Sequence, residues 1–197
     1  MEFYHEGMRE LQDRYEGRDV PDRLADNRMR RAFNAEDREC IETSPFFFLS
    51  TAADESVDSS FKGGEPGFVR VTGDNTLAWP DYDGNRMYRS LGNILRNPRV
   101  GLLFVRFDGK TFNNAGRLRI NGHAQIDDRP EAIEGLPGAK RMIRVRAEYI
   151  YTNCPRYIPK LATEKSSVYS PRENYSPPDP DWKSMPFVKD VVDKERE

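Results

Sequence analysis

The sequence predicts a mainly β protein, an antiparallel barrel or sandwich with flanking helices. Short segments of strand length recur between residues 46 and 151, and turn-forming residues separate them. One amphipathic helix interrupts this pattern. A length of 197 residues suits one domain with terminal additions. Changes in composition divide the chain into a helical arm (residues 1–44), a core domain (45–162) and a proline-rich tail (163–197).

The composition excludes several classes of protein. Lys and Arg number 31 and Asp and Glu number 33, so the net charge of -2 argues against a polybasic nucleic-acid binder. Mean hydropathy is -0.84, and no apolar run approaches the length of a membrane span. The first residues lack a signal-peptide pattern, and the two cysteines, Cys40 and Cys154, form no CxxC motif. We therefore expect a cytoplasmic protein that binds neither nucleic acid nor membrane and has no cysteine zinc site.

The first 44 residues predict helices. Met8, Leu11 and Tyr15 recur at helical spacing. Asn34 is predicted to cap a second helix, because an acidic first turn follows it and favours the positive end of the helix dipole.

The core domain contains seven segments of strand character. They are residues 46–49, a polar segment that ends at 61, and residues 67–71, 76–79, 100–107, 117–126 and 142–151. Residues 73–75, Gly-Asp-Asn, predict a hairpin turn between the third and fourth segments.

A helix is predicted between the fourth and fifth segments, beginning near Asn85 and ending at Asn97, before a proline. Its core-facing stripe is predicted to consist of Met87, Leu91, Ile94 and Leu95. On the opposite face, Arg86, Ser90 and Asn93 follow one another at helical spacing.

This helix start is the best candidate for an anion site. The first turn of a helix presents unpaired N–H groups, and Arg86 adds a cation with forked donors. From residue 84 to 120 the chain carries eight basic residues and one acidic residue. A solvated arginine surface is the alternative explanation. Lys62 beside two glycines is a second candidate for a phosphate contact, and an ordinary hairpin turn is the alternative there.

Other candidates have a structural explanation that is at least as good. His123 alternates with polar residues on one strand, and no HExxH motif is present, so no metal site is predicted. Trp79 and Tyr82 have the ring size to stack on a planar ligand, or to form part of the core. Cys154 is either a thiol activated by Arg156 or an inert one. No residue is assigned as a catalytic acid or base.

Four segments occur in a characteristic order: KGGEPGFVRV, TLAWPDYDGNRMYRSLGNILRNPRVGLLF, RLRINGHAQI and NCPRYIP. Together they resemble the pyridoxamine 5'-phosphate oxidase-like family of flavin-binding split barrels, over roughly residues 45–160. The resemblance implies a six-stranded Greek-key split barrel that forms a homodimer, with one FMN at each of two sites along the dimer interface. Residues 45–162 would then be the FMN-binding split-barrel domain.

The resemblance also implies which residues contact the cofactor. Asn85, Arg86 and Ser90 would hold the phosphate, with help from Lys62. Trp79, Pro80 and Asp81 would flank the flavin ring, largely through their backbone. The neighbouring strand would supply Phe68, Val69 and Arg70, and residues 153–157 would approach the flavin of the other protomer.

The expected function is an FMN-dependent oxidoreductase acting on a small molecule. True pyridoxamine phosphate oxidases carry a Ser-Arg-Lys run where this chain has Asn85-Arg86-Met87, which argues against vitamin B6 as the substrate. The alternatives are a non-enzymatic flavin- or haem-binding protein on the same fold, and deazaflavin in place of FMN.

Overall fold

The computed structural model describes residues 3–108, 115–161 and 167–185, apart from the side chain of residue 182. The helices of these residues are α1 (Glu6–Tyr15), α2 (Asp19–Arg28), α3 (Ala35–Thr43) and α4 (Arg89–Arg96), with short 3-10 turns at Pro130–Ala132 and Asp181–Ser184. The strands are β1 (Phe46–Ala53), β2 (Ser56–Gly63), β3 (Arg70–Val71), β4 (Thr76–Tyr82), β5 (Arg99–Val105), β6 (Arg117–Asp127) and β7 (Ala139–Asn153). Within the described ranges, no helix has both the length and the hydropathy needed to cross a membrane.

The strands form one antiparallel sheet in the order β2-β1-β5-β6-β7-β4-β3. Three strands separate β1 from β4, so a flat sheet would hold them about 19 Å apart. The ring centroids of Phe47 in β1 and Trp79 in β4 are nevertheless 5.0 Å apart. The sheet therefore curls around a shared core, and the predicted mainly β, antiparallel fold with flanking helices is confirmed.

The seven strands correspond to the seven segments of strand character predicted from the sequence, whereas the family resemblance implied six. The third strand, β3, has only two residues. The predicted segment 67–71 is shortened to Arg70–Val71. Gly67 has a φ of +91°, a left-handed conformation that interrupts an extended strand.

The third helix packs into the barrel, whereas the first two helices of the arm remain at its surface. Asn34 caps α3 as predicted, since its side chain accepts a hydrogen bond from the backbone N–H of Asp37 at 2.8 Å. Cys40 and Ile41 of this helix join the hydrophobic core. Helices α1 and α2 have no buried residue, and the sequence analysis did not predict α2 as a separate helix.

The predicted beginning of the fourth helix was wrong. It begins at Arg89 instead of near Asn85, because Arg86 and Tyr88 have φ angles of +61° and +52° and so cannot continue a right-handed helix. Met87 and Leu95, predicted to face the core, are 65% and 77% exposed.

The predicted donor-rich face of this helix was also wrong. Ser90 and Asn93 are buried with Leu91 and Ile94 against the barrel. The Asn93 side chain donates to Thr51 Oγ1 at 3.1 Å. Polar groups on β1 and β2 therefore satisfy the polar side chains of α4, a tertiary contact that the helical pattern does not reveal.

Candidate functional site

A cavity of about 430 Å³ lies between β2, the end of β4 and the loop that leads into α4. Its volume falls within the range of small-molecule sites. Eight of the ten residues predicted to bind a cofactor line it: Lys62, Phe68, Trp79, Pro80, Asp81, Asn85, Arg86 and Ser90. The other two, Val69 and Arg70, do not line it. Val69 is fully buried in the core, and Arg70 is exposed on β3.

One side of the cavity is formed by the end of β4 together with Phe68, and we call residues 68 and 79–82 the strand wall. Strand β3 pairs only with Leu77 and Ala78 of β4. Beyond Ala78, β4 therefore has one partner in the described sheet, β7, and its other side has none. A proline is tolerated at such an edge because it has no N–H to donate to a ladder. This stretch of backbone therefore faces the cavity without a second strand beside it.

The large side chains of the strand wall belong to the core. Trp79 is 1% exposed and its ring packs edge-on against Phe47. Phe68, 8% exposed, stacks on Phe47 from another direction. The Trp79 ring therefore packs in the core and is not free to stack on a planar ligand. Trp79 contributes to the cavity through its backbone.

Asp81 is the acidic member of the strand wall. Its Oδ2 lies 3.4 Å from Arg141 Nη1 of β7, and the side chain is 17% exposed. Burial raises the pKa of Asp81 above its usual range, an effect that the positive charges of Arg141 and Lys62 oppose. The strand wall thus holds a carboxyl group that is partly desolvated and beside two cations.

The opposite side of the cavity is the loop that precedes α4, and we call residues 83–88 the loop wall. All six of its residues are exposed. The Asn85 side-chain oxygen accepts a hydrogen bond from the N–H of Met87 at 3.0 Å, which folds the loop into a local turn. Arg86 follows in a left-handed conformation.

Five cations line the cavity: Lys62, Arg86, Arg89, Lys140 and Arg141. No described residue forms a hydrogen bond or an ion pair with the side chain of Lys62 or of Arg86. These two charges are therefore available to an anionic ligand, and the phosphate contacts expected for both residues stay predictions.

Ser90 meets a cluster of polar side chains on β2. Its Oγ donates to Asp58 Oδ2 at 2.6 Å and lies 3.0 Å from Ser60 Oγ. Arg89 Nε lies 3.4 Å from Asp58 Oδ1. Asp58 and Ser60 line the cavity as well.

Asp58 and Ser60 were not predicted as site residues, because β2 was recognised only as a polar strand. The alternation of β2 contained the signal, since Asp58, Ser60 and Lys62 lie two residues apart and share one face. Arg141 was not predicted for a different reason. It lies opposite Asp81 because β4 pairs with β7, and no local sequence pattern predicts which strands pair.

A second cavity, of about 1020 Å³, lies between the arm and the outer face of the sheet. Its walls include Met8 and Leu24 of the arm and Tyr149 and Tyr151 of β7. None of the ten residues predicted to bind the cofactor lines it, and the five cations of the first cavity are absent from its lining. Of the segment 153–157, predicted to approach the partner's flavin, Asn153 and Cys154 do line it. The first cavity is therefore the candidate cofactor site.

The remaining candidate residues lie away from the first cavity. His123 Nδ1 is 3.4 Å from Glu148 Oε1. Cys154 is exposed, and its pKa is lowered by hydrogen bonds from the backbone of Arg156 and the side chain of Arg117. Burial raises the pKa of Cys40 to about 12. No group of three or more His, Cys, Asp or Glu residues in the described ranges is arranged to hold a metal ion.

Comparison with known proteins identifies the family. The family model described as pyridoxamine 5'-phosphate oxidase matches residues 33–166, which is more than half of the chain. Comparison with curated proteins gives no match.

Several solved structures are similar to this chain. A candidate pyridoxamine 5'-phosphate oxidase from Lactobacillus delbrueckii is 16% identical, with a TM-score of 0.46, over 62% of this chain and 96% of that one. HupZ of Group A Streptococcus is 15% identical, with a TM-score of 0.46, over 66% and 99%. A protein from Mesorhizobium loti described as FAD-binding is 13% identical, with a TM-score of 0.38, over 62% and 94%. On the family match alone, the chain belongs to the pyridoxamine 5'-phosphate oxidase family.

Proposed function

We propose that this member of the pyridoxamine 5'-phosphate oxidase family binds FMN in the first cavity and acts as an FMN-dependent oxidoreductase. The observation that carries the proposal is that Lys62 and Arg86, two cations without a hydrogen bond or ion pair among the described residues, line the same cavity as the one-sided edge of β4. A phosphate ester joined to a flat ring system needs these two features together, a cationic end and an accessible flat wall.

The residues present fit such a ligand. Asn85 and Arg86 would hold the phosphate, and Lys62 would approach it from β2. Ser90, which was predicted to join them, lines the same cavity but donates its hydroxyl proton to Asp58. The backbone at Pro80 and Asp81 would lie along the ring. The bound flavin would supply hydride or electron acceptance, and the protein would supply position and electrostatic environment. The partly buried Asp81 and the cation Arg141 determine the charge beside the strand wall.

We further propose a homodimer with the cofactor at the interface. Large apolar side chains are exposed at the rim of the first cavity, among them Phe61, Met87 and Tyr88, which are 62%, 65% and 53% exposed. Tyr157, in the segment predicted to approach the partner's flavin, is 92% exposed. A second copy that covered these side chains would remove them from water and close the cavity. Light scattering across a range of protein concentrations tests this assembly, and a monomer at every concentration would contradict it.

The cofactor is tested first by the visible absorption spectrum of the purified protein, followed by mass analysis of the chromophore released on denaturation. A flavin band with released FMN is expected. A Soret band would instead identify the haem-binding alternative, and a released deazaflavin would replace FMN. A protein that takes up none of the three would overturn the cofactor proposal.

The phosphate contact is tested by Arg86→Ala with Arg96→Ala as the matched control. Arg96 is an exposed arginine of α4 that does not line the cavity. Loss of a charge-assisted contact worth about 1.5–3 kcal/mol predicts FMN binding weaker by about 10- to 100-fold for Arg86→Ala. Equal affinities of the two variants would refute the assignment.

Enzymatic turnover is tested by anaerobic reduction of the loaded protein with NADH or NADPH. Reduction of the flavin supports an oxidoreductase. Tight retention without reduction by either nucleotide supports the non-enzymatic flavin-binding alternative.

Both cysteines are free thiols, which supports the proposed cytoplasmic, reducing location.

A further inference from the structure

The cavity wall beside α4 carries a carboxylate at the place where the proposed function puts a phosphate. Asp58 lies on the inward face of β2, two residues from Ser60, and both line the cavity with Ser90. A carboxylate repels a phosphate dianion, so Asp58 requires an explanation. The inference below rests on the proposed function, because it concerns which flavin that site prefers.

The donor and the acceptor can be assigned for each hydrogen bond among Ser60, Ser90 and Asp58. The Asp58 carboxylate only accepts, so Ser90 uses its one hydroxyl proton in the 2.6 Å bond to Oδ2. Ser90 therefore has no proton left for Ser60, and in the 3.0 Å contact between the two hydroxyls Ser60 is the donor. The protons run from Ser60 to Ser90 to Asp58.

This direction makes both hydroxyls poor partners for a phosphate. Phosphate oxygens bind through donated hydrogen bonds, and each serine has only one proton to donate. As long as Asp58 accepts the hydrogen bond from Ser90, both hydroxyl protons are in use. The two oxygens then present only lone pairs, which cannot bind the oxygens of a phosphate.

Asp58 engages the nearby arginine as well. Arg89 Nε lies 3.4 Å from Asp58 Oδ1, and Arg89 Nη2 donates to the carbonyl of Val57 at 3.2 Å. The Arg89 guanidinium, at the first residue of α4, is thus directed toward β2. The Asp58 side chain is 16% exposed, so water only partly screens its charge.

We propose that Asp58 is a specificity-determining residue that disfavours phosphorylated flavin relative to unphosphorylated flavin. Its charge opposes a phosphate at this end of the cavity, and its hydrogen bonds hold Ser60, Ser90 and Arg89 away from one. The FMN phosphate then depends on Asn85, Arg86 and Lys62. Riboflavin has no phosphate, so the charge of Asp58 does not repel it.

The test is Asp58→Asn, with binding of FMN and of riboflavin measured by quenching of flavin fluorescence. Asparagine keeps the size of the side chain and an oxygen that accepts from Ser90, and it removes the negative charge. We expect FMN to bind about tenfold more tightly to the variant and riboflavin to change by less than about twofold. An unchanged ratio of the two affinities, or weaker binding of FMN, would overturn the proposal.

Asp83→Asn is the matched control. Asp83 also lines the cavity and carries the same charge. Like Asp58, which pairs with Arg89, it pairs with a cation, Lys183 at 3.3 Å, but it makes no described hydrogen bond to Ser90. Its FMN-to-riboflavin ratio should change by less than about twofold. An equal increase in both variants would mean that net charge, and not the Asp58 cluster, sets the preference.

Failure of the proposed function is separable from failure of this inference. If neither protein binds either flavin, the proposed function fails, and calorimetry with inorganic phosphate tests Asp58 alone. Tighter phosphate binding by Asp58→Asn than by the unmodified protein then supports the inference. Equal binding, or no detectable binding by the variant, overturns it.

Discussion

The two walls of the first cavity are built in opposite ways. In the strand wall, Phe68 and Trp79 direct their rings into the core and leave their backbone beside the cavity. In the loop wall, Asn85 and Arg86 are exposed and direct no side chain into the core. The strand wall therefore supplies shape, and the loop wall supplies chemical groups. Substitutions in the first should change stability, whereas those in the second should change ligand affinity.

The largest expected effect comes from Trp79→Ala in the strand wall. Removing a fully buried indole that packs against Phe47 should lower the free energy of unfolding by about 3–5 kcal/mol. Urea denaturation measures the change. Met87→Ala in the loop wall is the control, and it should cost less than about 0.5 kcal/mol because the side chain is 65% exposed. A similar decrease in the free energy of unfolding for both variants would contradict the proposed difference between the two walls.

A pair of glycine substitutions gives the next largest effect. A Cβ added at Gly64 would lie 2.6 Å from Phe68 Cγ and 2.8 Å from its Cβ, near the root of that side chain, so the strand wall must shift. Gly64→Ala should therefore cost about 1–3 kcal/mol in thermal or urea unfolding.

Gly84→Ala in the loop wall provides the comparison. No described atom outside the adjacent residues lies within 4 Å of a Cβ added there. The substitution should therefore be neutral or stabilise by up to about 1 kcal/mol, because it reduces the freedom of the unfolded chain. Destabilisation by Gly84→Ala equal to that of Gly64→Ala would show that the loop wall is as tightly packed as the strand wall.

The smallest expected effect is the pH dependence contributed by Asp81. Burial raises the pKa of this carboxyl group in the folded protein above its ordinary value of 3.8. The folded state then binds the proton more tightly than the unfolded state, so the free energy of unfolding falls as pH rises from about 4 through the raised pKa. Asp81→Asn should remove this fall, and its stability relative to the unmodified protein should increase over that pH interval.

Urea midpoints measured at several pH values check this prediction. A difference between Asp81→Asn and the unmodified protein that stays constant with pH would contradict it. The opposite slope would mean that the positive charges of Arg141 and Lys62 outweigh burial at this position.

Local sequence patterns were sufficient for much of the fold. The segments predicted at residues 46–49, 76–79 and 117–126 each lie within a strand of the structure, because strand-favouring residues bounded by turn residues are a local feature of the chain. The cap at Asn34 was equally local, since the capping side chain and the N–H that it accepts from are three residues apart.

The candidate site was only partly predictable. Lys62 and Arg86 were recognised from local features and the end of β4 from the family resemblance, and the curled sheet brings them to one cavity. Asp58 and Ser60 were overlooked although their alternation with Lys62 places all three on one face. The side of α4 that faces the barrel could not be predicted, because Thr51 pairs with Asn93 across 42 residues of chain.

The sequence by itself determined the elements whose patterns repeat within a few residues: the strands, the cap of α3 and the polar alternation of β2. Tertiary structure alone decided where α4 begins, that Trp79 belongs to the core, and that Ser90 gives its proton to Asp58. The physical reason is that a hydrogen bond or a packed ring depends on atoms brought together by the closing of the sheet. Local propensity fixes the conformation of a segment, whereas the partners available to its side chains are fixed by the fold.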